Sequence, residues 1–272
     1  MLNIRQKTLV IIAVCSSLIL AVILGGLFLG DERITTELAN RNQAPGWLHP
    51  FGTDWLGRDM LTRTLKGLTL SLGVGMLAAG ASAIIALILG VCAATLGNTV
   101  DSMIKWLIDL FLSVPHLVTL ILISFALGGG FKGIVVGIAL THWPSLARVI
   151  RSEVLQLKSQ PYIEAASQFG KSRLWIMRYH MLPHLWPQLI VGLVLLFPHA
   201  IMHEAAITFL GFGLSPHEPA IGIILSESMR YLSTGMWWLG FFPGLLLLIV
   251  VRSFDVLGDH LRKLIDPTQA HL

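Results

Sequence analysis

Charge is what this chain most lacks. Of its 272 residues only 12% are Asp, Glu, Lys or Arg, about half the roughly 25% usual in soluble domains. That scarcity excludes water as the main solvent of the fold and points to lipid. Cysteine is nearly absent too. Cys15 and Cys92 both fall inside apolar runs, which excludes a disulfide framework or a cysteine metal cluster and leaves them as small apolar residues. Strong basicity is also missing: a net charge of +4 gives no footprint for a nucleic-acid partner and reads as lysines and arginines gathered on one side of a membrane.

What the chain has instead is long apolar runs. Residues 8–30 form an uncharged stretch, long enough for the ~20 residues that a bilayer demands. Arg5 and Lys7 precede it, as in a signal peptide. The run is longer than the ~7–15 residues of a signal core, and no A-x-A cleavage pattern follows, so a retained first span is expected. Residues 31–66 are polar. Further spans are expected over about 68–97, 103–128, 131–150, 186–211 and 236–254. Gly128-Gly129-Gly130 divides the third from the fourth as a tight helical hairpin.

Six spans with the N-terminus inside would place twelve of the 19 Lys and Arg residues in the cytoplasm and seven outside, five of those seven in one acid-rich loop. The positive-inside rule favours this orientation. Both termini and the segment 151–185 are then cytoplasmic.

That segment is too long for a plain connection in a helical bundle. Pro161 suits a first helical turn, Glu164 the positive end of the helix dipole, and Gly170 a C-terminal stop. Leu182-Pro183 is expected to end the next short helical piece. From composition alone, a solvated surface loop is the competing reading.

Three motifs go further. Glu164-Ala165-Ala166, three residues, Gly170, then Leu182-Pro183 resembles the EAA loop of binding-protein-dependent ABC importer permeases. His49-Pro50-Phe51-Gly52-Thr53-Asp54-Trp55-Leu56-Gly57-Arg58-Asp59, continuing to Thr62-Arg63, resembles the segment before the second span in peptide and nickel permeases of that family. Phe209-Leu210-Gly211-Phe212-Gly213 is a third match, and the resemblance as a whole covers nearly the whole chain, from about residue 47 to Asp266-Pro267. The family is the dipeptide/oligopeptide/nickel group, in its shorter, C-type permease subunit. In one place the pattern departs: His180 stands where the family often has Ile, two residues before Leu-Pro.

The resemblance implies an all-α integral membrane protein with six transmembrane helices in the type I ABC importer permease (MetI-like) fold. Residues 1–66 would hold the first span and a periplasmic segment, 67–260 the permease core, and 261–272 a cytoplasmic tail, in a bacterial inner membrane. It implies a second homologous permease, two ABC ATPase subunits that dock on the EAA loop, and an extracytoplasmic solute-binding protein. The chain would bind no cofactor, ATP and magnesium belonging to the ATPases, and would itself catalyse nothing.

For the motif Gly52, Thr53, Asp54, Gly57, Arg58 and Asp59, the residues suggest turn chemistry that fixes the start of the second span, with a direct role in solute passage as the alternative. Asp54, Arg58 and Asp59 are expected to form a local ion-pair cluster, worth little if exposed.

Ionisable groups inside spans are costly and face a cavity or a partner. Pro198, His199, Met202, His203 and Glu204 stand together in the fifth span, and His142-Trp143-Pro144 lies in the fourth. His199 and His203 share a helix face. They read either as a hydrogen-bonded polar cluster or as a pathway lining that meets a metal, a metal chelate or a charged peptide, with His199 and His203 the metal ligands. Imidazole suits nickel, copper and zinc, which tilts the expected solute towards nickel or a metal chelate, with dipeptides or oligopeptides as the alternative.

Two false leads are excluded. Gly170-Lys171-Ser172 ends like a phosphate loop, but Ala165 occupies the place of its first glycine. His203-Glu204 lacks the second histidine of a zinc-protease helix, since position 207 is Ile. A stand-alone secondary carrier or a membrane hydrolase remain as rivals. No internal repeat favours the first, and no nucleophile–base pair favours the second.

Overall fold

The computed structural model describes residues 4–265; Asp266-Pro267, the last stretch of the expected tail and residues 1–3 lie outside the described residues. Ten α-helices occur among the described residues: α1 Ile4–Phe28, α2 Met60–Thr95, α3 Asn98–Ser113, α4 His116–Ala126, α5 Gly130–Lys158, α6 Pro161–Gln168, α7 Arg173–Ile176, α8 Leu182–Phe209, α9 Ile221–Met229 and α10 Trp238–Ile265. Five are long and apolar enough to cross a membrane, and α3 with α4 makes a sixth candidate if the bent pair is counted as one span. Their outward stripes are apolar, as lipid requires: Leu77, Ile84 and Ile88 of α2 are all more than half exposed.

The bundle is built on α2 packed against α5. Small residues make that approach close. A Cβ on Gly90 would stand 2.8 Å from the Ala147 carbonyl oxygen, and one on Gly75 2.9 Å from Ile201 of α8. Without a hydrophobic driving force between helices in lipid, such van der Waals closeness is what holds them. Lys158 Nζ, at the end of α5, donates to the Ala94 carbonyl oxygen in the last turn of α2 at 2.9 Å, a cation placed where the helix dipole favours one.

The structure departs from the expected spans in three ways. The expected third span is broken: α3 and α4 meet at 98°. Pro115 is the cause, because its ring forces Val114 out of helical conformation (φ −93°, ψ 139°) and removes a backbone donor. The second span starts at Met60 rather than near 68, since Asp59 caps it. Thirdly, Leu182-Pro183 ends no helix. A π-turn over Met177–Met181 joins α7 to α8, with the Leu182 N–H bonded to the Met177 carbonyl oxygen, and Pro183 sits in the first turn of α8. The wider turn takes up the backbone mismatch that proline brings. Most of the expected loop 151–185 is therefore helix.

Candidate functional site

Polar side chains gather at the short helix α6 and in a cavity at mid-depth. A third place, the segment before α2, is a structural knot.

Helix α6 is anchored from one side and open on the other. Ile163 is buried with Val154, Ile150, Ile176, Met181 and Leu185, which belong to α5, α7, the π-turn and α8. Glu164 is exposed, Ala165 and Ala166 are half-buried, and Phe169 and Leu174 are 84% and 69% exposed. The helix ends in a Schellman motif: Gly170 N–H donates to the Ser167 carbonyl at 3.0 Å and Lys171 N–H to that of Ala166 at 3.1 Å. Gly170 has φ +76°, a conformation that costs other residues about 1–2 kcal/mol. His180, the departure from the family pattern, has its ring 5.8 Å from that of Tyr162 and 5.2 Å from that of Trp175. Aromatic contacts thus stand where an aliphatic one is usual.

The cavity, of about 410 Å³, lies among α3, α4, α5 and α8. His142 is about 18 Å along α5 from its start at Gly130, which is mid-depth. Gly192 lets α8 close on α5 beside it, a Cβ there falling 2.4 Å from Leu146 Cδ1. Four histidines line the space: His116, His142, His199 and His203. The ring centroids of His116 and His142 are 4.4 Å apart, of His116 and His203 4.5 Å, and of His142 and His203 5.1 Å. His142 is buried, and its Nδ1 lies 3.1 Å from the Ile138 carbonyl oxygen. Thr141 Oγ1 lies 3.2 Å from the same nitrogen; in the tautomer that satisfies the carbonyl, Nδ1 carries the proton.

The expected histidine pair is thus rearranged. His203 groups with His142 and with His116, whereas exposed His199 turns its Nδ1 to the Leu195 carbonyl oxygen at 3.1 Å. Met202 is 52% exposed and does not line the cavity. Glu204 points elsewhere, fully buried, accepting from Thr208 Oγ1 at 2.9 Å while its Oε2 has no hydrogen-bond partner. Pro198 leaves α8 unbroken. His116 was not singled out from sequence. Its signal was Pro115 just before it, a helix breaker inside an apolar run, the same signature that marked His142.

In the segment before α2 the expected ion pair forms between Asp54 and Arg58, and the carboxylates of Asp54 and Asp59 are both buried. Asp54 is 0% exposed and accepts from Leu56 N at 2.9 Å, Arg58 N at 3.0 Å, Arg58 Nε at 2.7 Å and Arg63 Nη1 at 3.0 Å. Arg63 also pairs with Glu227 of α9, a partner 164 positions away that no local pattern announces. Asp59 caps α2, accepting from Thr62 N at 2.8 Å and from Thr62 Oγ1 at 2.7 Å, with His49 Nδ1 at 2.9 Å on its other oxygen. Gly52 and Gly57 take φ +73° and +78°, and a Cβ on Gly57 would fall 1.8 Å from the Glu37 carbonyl oxygen. Thr53 presents its carbonyl to Trp238 Nε1 at 3.3 Å. The motif ties the polar segment to α2, α9 and α10.

Phe209–Gly213 closes α8 with a second Schellman motif: Gly211 N–H donates to the Thr208 carbonyl and Phe212 N–H to that of Ile207. Gly130 N–H then donates to the Gly213 carbonyl oxygen at 3.0 Å, docking this turn on the α4–α5 hairpin.

A bundle of five or six apolar spans, without strands among the described residues and with a polar helix interposed between two spans, defines a multi-pass helical membrane protein. The chain belongs to the family of binding-protein-dependent transport system inner membrane components, which it matches over residues 82–268. It is 35% identical over 243 residues to the dipeptide transport system permease protein DppC of Bacillus subtilis (strain 168), covering 89% of this chain and 76% of that one. It is 32% identical over 269 residues to the oligopeptide transport system permease protein OppC of the same strain, covering 98% and 88%. The MetNI methionine ABC transporter, solved in inward facing conformations, shares the fold with a TM-score of 0.60 at 20% identity, covering 76% of this chain and 98% of that one. The all-α, MetI-like permease fold is therefore established.

Proposed function

We propose that this chain is one permease subunit of an ATP-driven importer whose solutes are of the dipeptide or oligopeptide class, in keeping with the names its relatives carry. One observation carries the coupling part of this reading. Helix α6 is fixed by Ile163 to α5, α7 and α8, and α5 and α8 are the helices that bring His142, His199 and His203 to the cavity. A push on the exposed face of α6, at Glu164 and Phe169, is thereby a push on the cavity walls.

In the proposed cycle, ATPase subunits grip α6, turn it as they close on ATP, and open the cavity outward to a solute released by an external binding protein. Hydrolysis resets the walls. A second permease supplies the other half of the pathway, and α6 with both termini faces the cytoplasm. The chain makes and breaks no covalent bond.

The test is copurification and uptake. The full chain, expressed with its companion subunits, should retain an ATPase and support ATP-dependent uptake of a labelled dipeptide. Glu164→Lys should insert normally yet lose both. Unchanged ATPase retention and uptake in that variant would refute the coupling role of α6.

A further inference from the structure

The trio of histidines carries more than a general polar lining. His116, His142 and His203 come from three helices, α4, α5 and α8, and one ligand nitrogen from each can be chosen so that all three lie within 4.8 Å of one another. Three imidazole rings gathered this way at mid-depth would each seek a hydrogen-bond partner. Yet the buried Nε2 atoms of His116 and His142 have no hydrogen-bond partner. A buried polar atom left unsatisfied bears its full desolvation cost, so two together call for a ligand.

The local chemistry says which kind. In the tautomer whose Nδ1–H is donated to the Ile138 carbonyl oxygen, 3.1 Å away, His142 Nε2 presents a lone pair, and the backbone carbonyl plays the part that outer partners play for metal-ligating histidines. Distances agree. A tetrahedral ion with bonds of about 2.0–2.1 Å holds its nitrogens roughly 3.4 Å apart. The widest pair would close by at most ~1.4 Å from the 4.8 Å limit, a movement within reach of side-chain torsions. There is no carboxylate in the trio, so hard cations such as magnesium or calcium are disfavoured, and borderline cations are favoured.

We infer that His116, His142 and His203 form a three-imidazole site for a divalent transition cation, with the remaining coordination positions open to the cavity. His199 lines the same cavity outside this trio. An open position lets a cation keep a ligand that it brings with it. The inference rests on side-chain geometry and does not need the importer reading. Metal binding without ATP-coupled uptake would sink that reading and leave the site standing, and uptake without metal binding would do the reverse.

The test uses the full chain in lipid nanodiscs, titrated separately with Co²⁺ and Zn²⁺. One ion should bind per chain, Co²⁺ with the visible absorption of nitrogen ligation and Zn²⁺ with three imidazoles at about 2.0–2.1 Å by X-ray absorption. Replacing any one of the three by Ala should weaken binding at least as much as loss of an outer partner does, about 10–100-fold. His217→Ala, in the exposed turn after α8, should leave binding unchanged. Asn at the three positions, which keeps bulk and polarity, serves where Ala lowers the yield of folded chain. Binding that is absent in helical, monodisperse wild type, or that survives both the Ala and the Asn change at His142, would overturn the inference.

Discussion

Removing the Asp54 carboxylate should be the most damaging single change in the segment before α2. Asp54 is fully buried and neutralises two guanidiniums, Arg58 Nε at 2.7 Å and Arg63 Nη1 at 3.0 Å, while satisfying two backbone N–H groups. Truncating one partner of a buried pair costs about 3–5 kcal/mol, because the other charge stays behind unpaired. Arg63 retains Glu227, and Arg58 is partly exposed, so Asp54→Ala should fall near the lower end, about 3 kcal/mol. Asp54→Asn keeps an oxygen for the two N–H groups and should lose the charge-assisted part, about 1.5–3 kcal/mol. The control is Asp109→Ala, which breaks the pair with Arg148; both groups are more than half exposed, and such pairs contribute about 0–1 kcal/mol. Chemical unfolding of the full chain in mixed micelles, read by tryptophan fluorescence, measures all three. Trp55 is a built-in reporter, stacked on Tyr231 at 4.7 Å with both arginines over its ring. Equal, sub-kilocalorie effects for Asp54→Ala and Asp109→Ala would refute the claim that the motif is a buried charge knot.

Other expected outcomes follow from the same geometry. Gly170→Val, at φ +76°, should strain the end of α6 by about 1–2 kcal/mol; membrane insertion should persist while ATP-coupled uptake in proteoliposomes falls. Glu164→Lys changes an exposed residue and should shift the unfolding midpoint by no more than ~0.5 kcal/mol, so its loss of ATPase binding, measured by copurification, would be specific to coupling. Gly90→Val would drive a side chain into Ala147 and Ile150, and should destabilise the α2–α5 contact by about 1–3 kcal/mol in a thermal melt. Asp59→Ala removes the α2 cap and should cost about 0.5–2 kcal/mol, visible as faster amide exchange in residues 60–64.

How much of this was legible in the sequence depended on whether the cause was local. The caps were: Pro161 and Gly170 bound α6 because a ring fixes φ at one end and a missing Cβ permits left-handed backbone at the other. The apolar runs were legible because a bilayer sets their length. The fold's breaks were half legible. Pro115, Pro144, Pro183 and Pro198 are equivalent as letters, yet only Pro115 breaks a span, at 98°. Pro183 has a π-turn before it, and Pro144 and Pro198 stay inside continuous helices. Which outcome a proline has is decided by what neighbouring helices pack against it, and that information is distributed along the chain.

The site shows the same division. Helical spacing put His199 and His203 on one face, which is a statement about one helix. Partnership is set by the second and third helices. His203 meets His142 where Gly192 lets α8 close on α5, and meets His116 at the first residue of α4, just after the bend at Pro115. A glycine and a proline, neither of them a ligand, thus decide which imidazoles face one another. Straightening the bend should therefore disperse the trio as surely as removing a histidine. Pro115→Ala is the variant, and transition-metal affinity of the full chain is the measurement. Affinity should drop with all three histidines still in place. Unchanged affinity in Pro115→Ala would mean that α4 is held by its packing on α5 alone, and that the proline contributes nothing to the site.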